Sequence, residues 1–150
     1  MAKSFPMKKI KLGIPAAILG ASIALLLTLG GAFAYVLMGS REIAVSATQL
    51  TLDGTLYSKQ VDRASIDVSG VRVVDLDKAT DLAISSKSNG FGLPGLREGY
   101  FDLANGKRAF VMLTDEARVV VVPTSDEWLL FSAADPESVV AQLSNPSGSR

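Results

Sequence analysis

Three groups of polar residues carry side chains suited to chemistry. Asp75, Asp77 and Asp81 stand within DLDKATD, and hard cations such as Ca²⁺ take carboxylate oxygens. The spacing lacks the glycine, the alternating ligands and the closing glutamate of a helix–loop–helix calcium site, so the trio reads as a solvated strand-to-loop junction. Ser85-Ser86-Lys87 is the nearest approach to a serine–lysine hydrolase pair. Its lysine follows one or two residues on rather than three, and no nucleophile elbow accompanies it. Lys107, Arg108 and Arg118 would gather beside one hairpin, and with Arg97, just after a glycine-rich stretch, would attract a small anion or an acidic partner. Pairing with Asp102, Asp115 and Glu116 accounts for the same cations without a ligand. The chain has no histidine and no cysteine, which removes the usual general base, thiolate nucleophiles, disulfides and the commonest metal ligands. These residue types predict no catalytic, metal or cofactor site.

The remaining candidate is a glycine-rich stretch, Asn89, Gly90, Phe91, Gly92, Leu93, Pro94 and Gly95, followed by Arg97. The run Ser88–Gly95 predicts a loop built for positive φ or close backbone approach. Loops of this kind meet ligands and partners. Glycines that allow sharp strand bends explain the same pattern structurally.

Around this loop the pattern is mostly β. Ile43, Val45 and Ala47 alternate with other residues, then Leu50 and Leu52 alternate in the opposite phase, which predicts one strand with a bulge or bend. Asp53-Gly54 predicts a two-residue hairpin turn, with Thr55–Val61 returning and Leu56 facing inward. Asp62–Gly70 reads as a link, Val71–Asp75 as a strand, and Asp81–Ser86 as either a strand or one helical turn. Tyr100–Ala104 and Lys107–Thr114 flank an Asn105-Gly106 turn. Asp115-Glu116 then turns the chain into Arg118–Pro123, a β-branched strand buried on both faces. Glu127–Ser132 holds the only tryptophan, Trp128. Asp135 is placed to cap a closing helix with Pro136 in its first turn, and Val139, Val140 and Leu143 share one face. The reading is about seven strands, mostly antiparallel hairpins, closed by one amphipathic helix. A partly open barrel or sandwich plugged by that helix fits better than an immunoglobulin-type sandwich.

Ahead of this domain, which spans 41–144, lies an uncharged apolar run. Residues 12–38 predict a transmembrane helix: the 25 residues Ile14–Met38, at about 1.5 Å each, already exceed a hydrocarbon core of about 30 Å. Pro15 falls in its first turn and Tyr35 near its far end. The preceding tail, 1–11, carries Lys3, Lys8, Lys9 and Lys11 and no acid, which predicts a cytoplasmic N-terminus. Ala32-Phe33-Ala34 has the form of a signal-peptidase site, but the run is much longer than a signal core of about 7–15 residues. Gly13, Ala17 and Ala21, or Ala16, Gly20 and Ala24, recur every fourth residue and would let two such helices approach closely. Residues 41–150 hold 11 basic and 15 acidic residues, a net charge of −4. That balance speaks against nucleic acid and against charge-driven adhesion to anionic lipid. Residues 145–150 read as a flexible tail.

The succession Asn89-Gly90, Pro94-Gly95, Gly99-Tyr100-Phe101, Asn105-Gly106, Thr114-Asp115, Thr124 and Asp135-Pro136-Glu137 resembles the bacterial pleckstrin-homology-like domain family. The resemblance is best over 84–143. It implies a bent, seven-stranded antiparallel β structure capped by a C-terminal helix, often behind membrane spans, with no catalytic residues to carry over. Inositide-binding relatives place several basic residues around the first hairpin, whereas this turn holds Asp53-Gly54 with Lys59 as the nearest base. The expected function is a membrane-anchored, non-enzymatic module at the outer face of a bacterial cytoplasmic membrane, binding a protein partner. The alternative is a small-ligand or lipid-fragment binding domain, secreted after cleavage near Ala34.

Overall fold

A computed structural model of the chain describes residues 16–145, which divide into two compact units after Val36. α1 runs Ala16–Met38, 23 residues, or about 35 Å at 1.5 Å per residue. Its segment Ala17–Met38 is long and apolar enough to cross a membrane. The Ser22 and Thr28 hydroxyls donate to the Ile18 and Ala24 carbonyl oxygens, each at 2.9 Å, so neither polar group stands unpartnered on the apolar helix. Ala17, Gly20, Ala21 and Ala24 lie within α1. Gly13, Pro15, the side chain of Ala16, the basic tail 1–11 and residues 146–150 fall outside the described residues.

The second unit contains strands β1 (Glu42–Val45), β2 (Gln49–Asp53), β3 (Ser58–Asp62), β4 (Arg72–Val74), β5 (Ile84–Leu93), β6 (Leu96–Leu103), β7 (Arg108–Leu113), β8 (Val119–Pro123) and β9 (Trp128–Ser132), then helix α2 (Pro136–Ser144). They form a three-stranded sheet, β1-β2-β3, and a six-stranded sheet, β4-β8-β9-β7-β6-β5. The expected seven-stranded barrel is therefore replaced, among the described residues, by nine strands in two open sheets.

The opposite alternation phases at 43–52 are a chain reversal, not a bulge. β1 and β2 pair antiparallel with Ile43 opposite Leu52 and Val45 opposite Leu50. Ser46 makes the turn: its N–H donates to the Gln49 carbonyl at 2.8 Å and its hydroxyl accepts from the Gln49 N–H at 2.9 Å. β2 and β3 form the expected hairpin with Asp53 opposite Ser58, but its turn spans 54–57 and leaves Leu56 exposed.

In the large sheet, alternation distributes side chains between two cores. Val120, Val122, Phe110, Met112, Leu129 and Phe131 face the small sheet, where Leu50, Leu52 and the α2 residue Leu143 meet them. Val119, Val121, Val111, Leu113 and Leu130 face the other way, against Phe101, Leu103, Leu76 and Leu82. β8 is thus buried on both faces, as its valine run predicts. Both faces of the central strands are filled by side chains.

The expected β7–β8 hairpin does not form. β9 lies between them, antiparallel to β8 and parallel to β7, with Val111 opposite Leu130. The Ser132 hydroxyl at the end of β9 holds the connection that arches over it, accepting from Thr114 and Asp115 N–H at 3.1 and 2.9 Å and donating to the Asp115 carbonyl at 2.6 Å. The Asp62–Gly70 link contains two short 3-10 turns, started by Asp62 and Asp67 side chains that accept from Ala64 and Ser69 N–H. Residues 80–86 combine a 3-10 turn, Thr80–Leu82, with the start of β5.

Asp135 caps α2 by accepting from the Ser138 N–H at 3.1 Å, and Pro136 occupies the first turn. The far end is held by Arg63, a role with no local sequence signal. Its guanidinium donates to the Gln142 and Leu143 carbonyls at 2.7 and 3.0 Å and to the Ser46 carbonyl at 3.0 Å, satisfying helix-end acceptors with a cation.

Because Phe131 is fully buried between the sheets, Phe131→Ala will lower unfolding stability by about 3–5 kcal/mol. Val68→Ala, at a position 42% exposed, will change it by no more than about 0.5 kcal/mol. Urea unfolding of the detergent-held chain measures both.

Candidate functional site

The glycine-rich stretch is a strand rather than a loop. Asn89, Gly90, Phe91, Gly92 and Leu93 belong to β5, Pro94-Gly95 form its tight turn, and Arg97 lies in β6. The turn has Leu93 opposite Leu96, with Gly95 at φ 75°; proline followed by glycine at positive φ is the composition of a type II turn. Gly90 serves close packing instead. Gly90 pairs with Gly99, which has φ 119°, and a β-carbon on Gly90 would press on the Phe101 ring and the Glu98 carbonyl. The glycines let two strands and an aromatic ring converge.

β5 is an edge. Among the described residues its only strand partner is β6, and the opposite edge of the same sheet is the three-residue β4. Across a two-residue turn the flanking residues exchange hydrogen bonds, and alternation then points the backbone groups of Gly92 and Gly90 away from β6. The lower half is irregular, with register shifts at Ile84/Ser86 and Lys87/Asn89. There the Ser86 and Ser88 hydroxyls donate to Asp102 Oδ2 at 2.8 and 2.9 Å, and Ser85 donates to the Asp102 carbonyl at 2.9 Å. The two hydroxyls hold the Asp102 carboxyl below the usual carboxylate range.

Glu98 in β6 is 1% exposed. Its Oε1 accepts from the Leu56 and Tyr57 N–H groups at 2.6 and 2.7 Å, and its Oε2 lies 3.3 Å from Arg41 Nε. One carboxylate thus ties the large sheet to the 54–57 turn and to the residue before β1. Gly54 has no room for a side chain because the Glu98 carboxylate occupies that space.

A surface cleft of about 440 Å³ opens where β5 and β6 meet the small sheet, lined by Lys59, Asn89, Tyr100, Arg108, Asp126 and Glu127. The Lys59 ammonium and the Arg108 guanidinium lie 5.7 and 5.6 Å from the Tyr100 ring centre, and Phe110 meets that ring edge-on at 5.3 Å. Partial burial works against the Lys59 charge, but Glu127, its ion-pair partner, and Tyr100 more than offset it, and its pKa lies above the ordinary lysine value. Asn89 accepts from the Tyr57 hydroxyl at 3.1 Å, which leaves its amide NH₂ for an acceptor. The cleft offers cations, an aromatic face and carboxylates at close range, with the chemistry of polar recognition.

The cations expected to gather do not. Ala109 is level with Trp128 and Pro123, whereas Val119 is level with Ser132, so Arg108 and Arg118 stand at opposite ends of the sheet. Arg118 pairs with Glu137, Arg97 lies 3.4 Å from Glu116, and Asp75 lies 2.7 Å from Lys78. Among the described residues, Asp75, Asp77 and Asp81 form no group able to hold a metal ion.

Glu98→Ala strips the acceptor from two buried N–H groups and the partner from Arg41. It will cost roughly 3–5 kcal/mol in urea unfolding, because breaking a buried pair leaves its partner uncompensated. The folded-state pKa values of Asp75, Asp102, Asp135 and Glu137 are all lowered. A depressed carboxylate contributes stability above its unfolded value, about 4, and loses it as pH falls through the folded value. The urea midpoint will therefore hold from pH 7 to about 5 and decline below about 4, with Asp102→Asn reducing the decline.

No family model, no characterised protein and no solved structure matches this chain.

Proposed function

We propose that this chain is a membrane-anchored, non-enzymatic interaction module, displayed at the outer face of a bacterial cytoplasmic membrane, whose β domain binds a protein partner. The apolar length of α1 supports the anchor, and the lysine excess of residues 1–11 supports a cytoplasmic N-terminus. A divergent pleckstrin-homology-like origin is part of the reading, supported by the Pro94-Gly95 and Asn105-Gly106 turns and by the closing helix on the first core. The parallel β7–β9 pair departs from that family's antiparallel pattern.

The observation that carries the partner reading is the unpaired edge of β5. A ten-residue edge strand presents a row of N–H and C=O groups to which an extended segment of another protein adds as a further strand. The Tyr100 cleft beside Asn89 would receive a side chain of that segment. The same cleft favours the second reading, a small-ligand or lipid-fragment binding domain. A second copy of the chain would associate through Ala17 and Ala21, or Gly20 and Ala24.

A photo-crosslinking residue at Ser88, in intact membranes, tests the edge. The expected result is a discrete protein adduct, lost with Gly92→Pro, which removes an outward donor, and kept with Gly92→Ala, whose β-carbon has room. An adduct indifferent to Gly92→Pro, or no adduct, overturns strand addition.

A further inference from the structure

We infer that the 54–57 turn is a second membrane contact, with Leu56 seated in the interfacial layer of the bilayer. The inference rests on the reading of α1 as a resident membrane span. The described helix alone, at about 35 Å, already exceeds a hydrocarbon core of about 30 Å, so its last residue, Met38, lies at or just beyond the core boundary. Gly39 follows directly, and a β-carbon there would collide with the Thr55 side chain. Thr55 therefore packs on the first residue after the span.

The length scale decides the rest. Adjacent Cα atoms are 3.8 Å apart, so Leu56 begins roughly 10 Å from Gly39, and the headgroup layer on each side of the core is about 5–8 Å deep. A leucine so placed is within reach of that layer. The turn is held in place: Glu98 accepts from both Leu56 and Tyr57 N–H and pairs with Arg41, two residues beyond Gly39. Its leucine side chain is left outside the domain core, 51% exposed. A lone exposed leucine is ordinary on a protein surface. Here it is borne on a clamped turn in contact with the residue that leaves the membrane. Glu42 and Asp53, exposed and paired across β1 and β2, offer anionic lipid no attraction. The contact is consequently apolar and needs no anionic headgroup.

The chain has no native cysteine, so single-cysteine variants label cleanly. The full chain in phosphatidylcholine vesicles would carry an environment-sensitive nitrobenzoxadiazole dye at Leu26→Cys, Leu56→Cys or Lys107→Cys, with nitroxide quenchers placed shallow or deep on the lipid chains. Lys107 is level with Leu103 at the far end of β6, about 17 Å from Glu98 along the strand. The expected result is strong deep quenching at 26, and shallow quenching at 56 about twofold or more above that at 107. The 56 signal should not rise when anionic lipid is added, and a rise overturns the apolar contact. Quenching at 26 with equal, weak signals at 56 and 107 overturns the proposal while leaving the span intact. Equal, strong signals at 56 and 107 also overturn it, since the dye rather than the turn then seeks lipid. Loss of quenching at 26 overturns the span, and the proposal falls with it.

Discussion

A buried carboxylate is tolerated only where its oxygens are met by donors, and Glu98 meets that condition with two backbone N–H groups and the Arg41 side chain. Carboxylate and donors come from three separate parts of the chain. The carboxylate sits on the large sheet, the N–H groups on the turn of the small sheet, and the guanidinium just ahead of β1. Hydrophobic contact alone would let the two sheets slide or rotate over one another. A single directional, desolvated interaction at one rim fixes their mutual position, and Gly54 shows how closely the chain has been fitted to it.

Away from that rim, burial dominates. The central strands distribute their side chains to two cores because a β-strand alternates, and β8 can do so with valine alone because both faces are covered. The first core is closed by the small sheet and α2. α2 is short, so its position depends on its ends: Asp135 at the start, and Arg63 at the finish. The second core is covered by the irregular 75–83 segment, which supplies Leu76 and Leu82.

Local signals in the sequence were accurate where one interaction decides the outcome. The apolar run, the Asn105-Gly106 turn, the valine strand and the Asp135-Pro136 helix start each depend on neighbours in sequence. Errors arose where the deciding contact is distant. The reversal at Ser46 uses a serine in place of glycine or proline, so two short strands read as one interrupted strand. The glycine at 90 signals flexibility, but it admits Gly99 and the Phe101 ring, both on the neighbouring strand. The parallel lane of β9 has no local signature, and neither does a buried glutamate within an alternating strand. The Asn89 stretch reads as a loop from its glycines and is a strand because its pairing partners lie on β6. The Lys59–Tyr100–Arg108 cleft draws on three strands and was invisible in one dimension.

The lane occupied by β9 has a temporal meaning. A chain made from its N-terminus onward completes β7 and β8 before β9 exists, and those two strands cannot share hydrogen bonds in the final sheet. Residues 128–132 must arrive to join them, and α2 after that to cover the first core. The apolar helix α1 precedes all of these elements in the chain, and the centre of the sheet is the last part of it to become continuous.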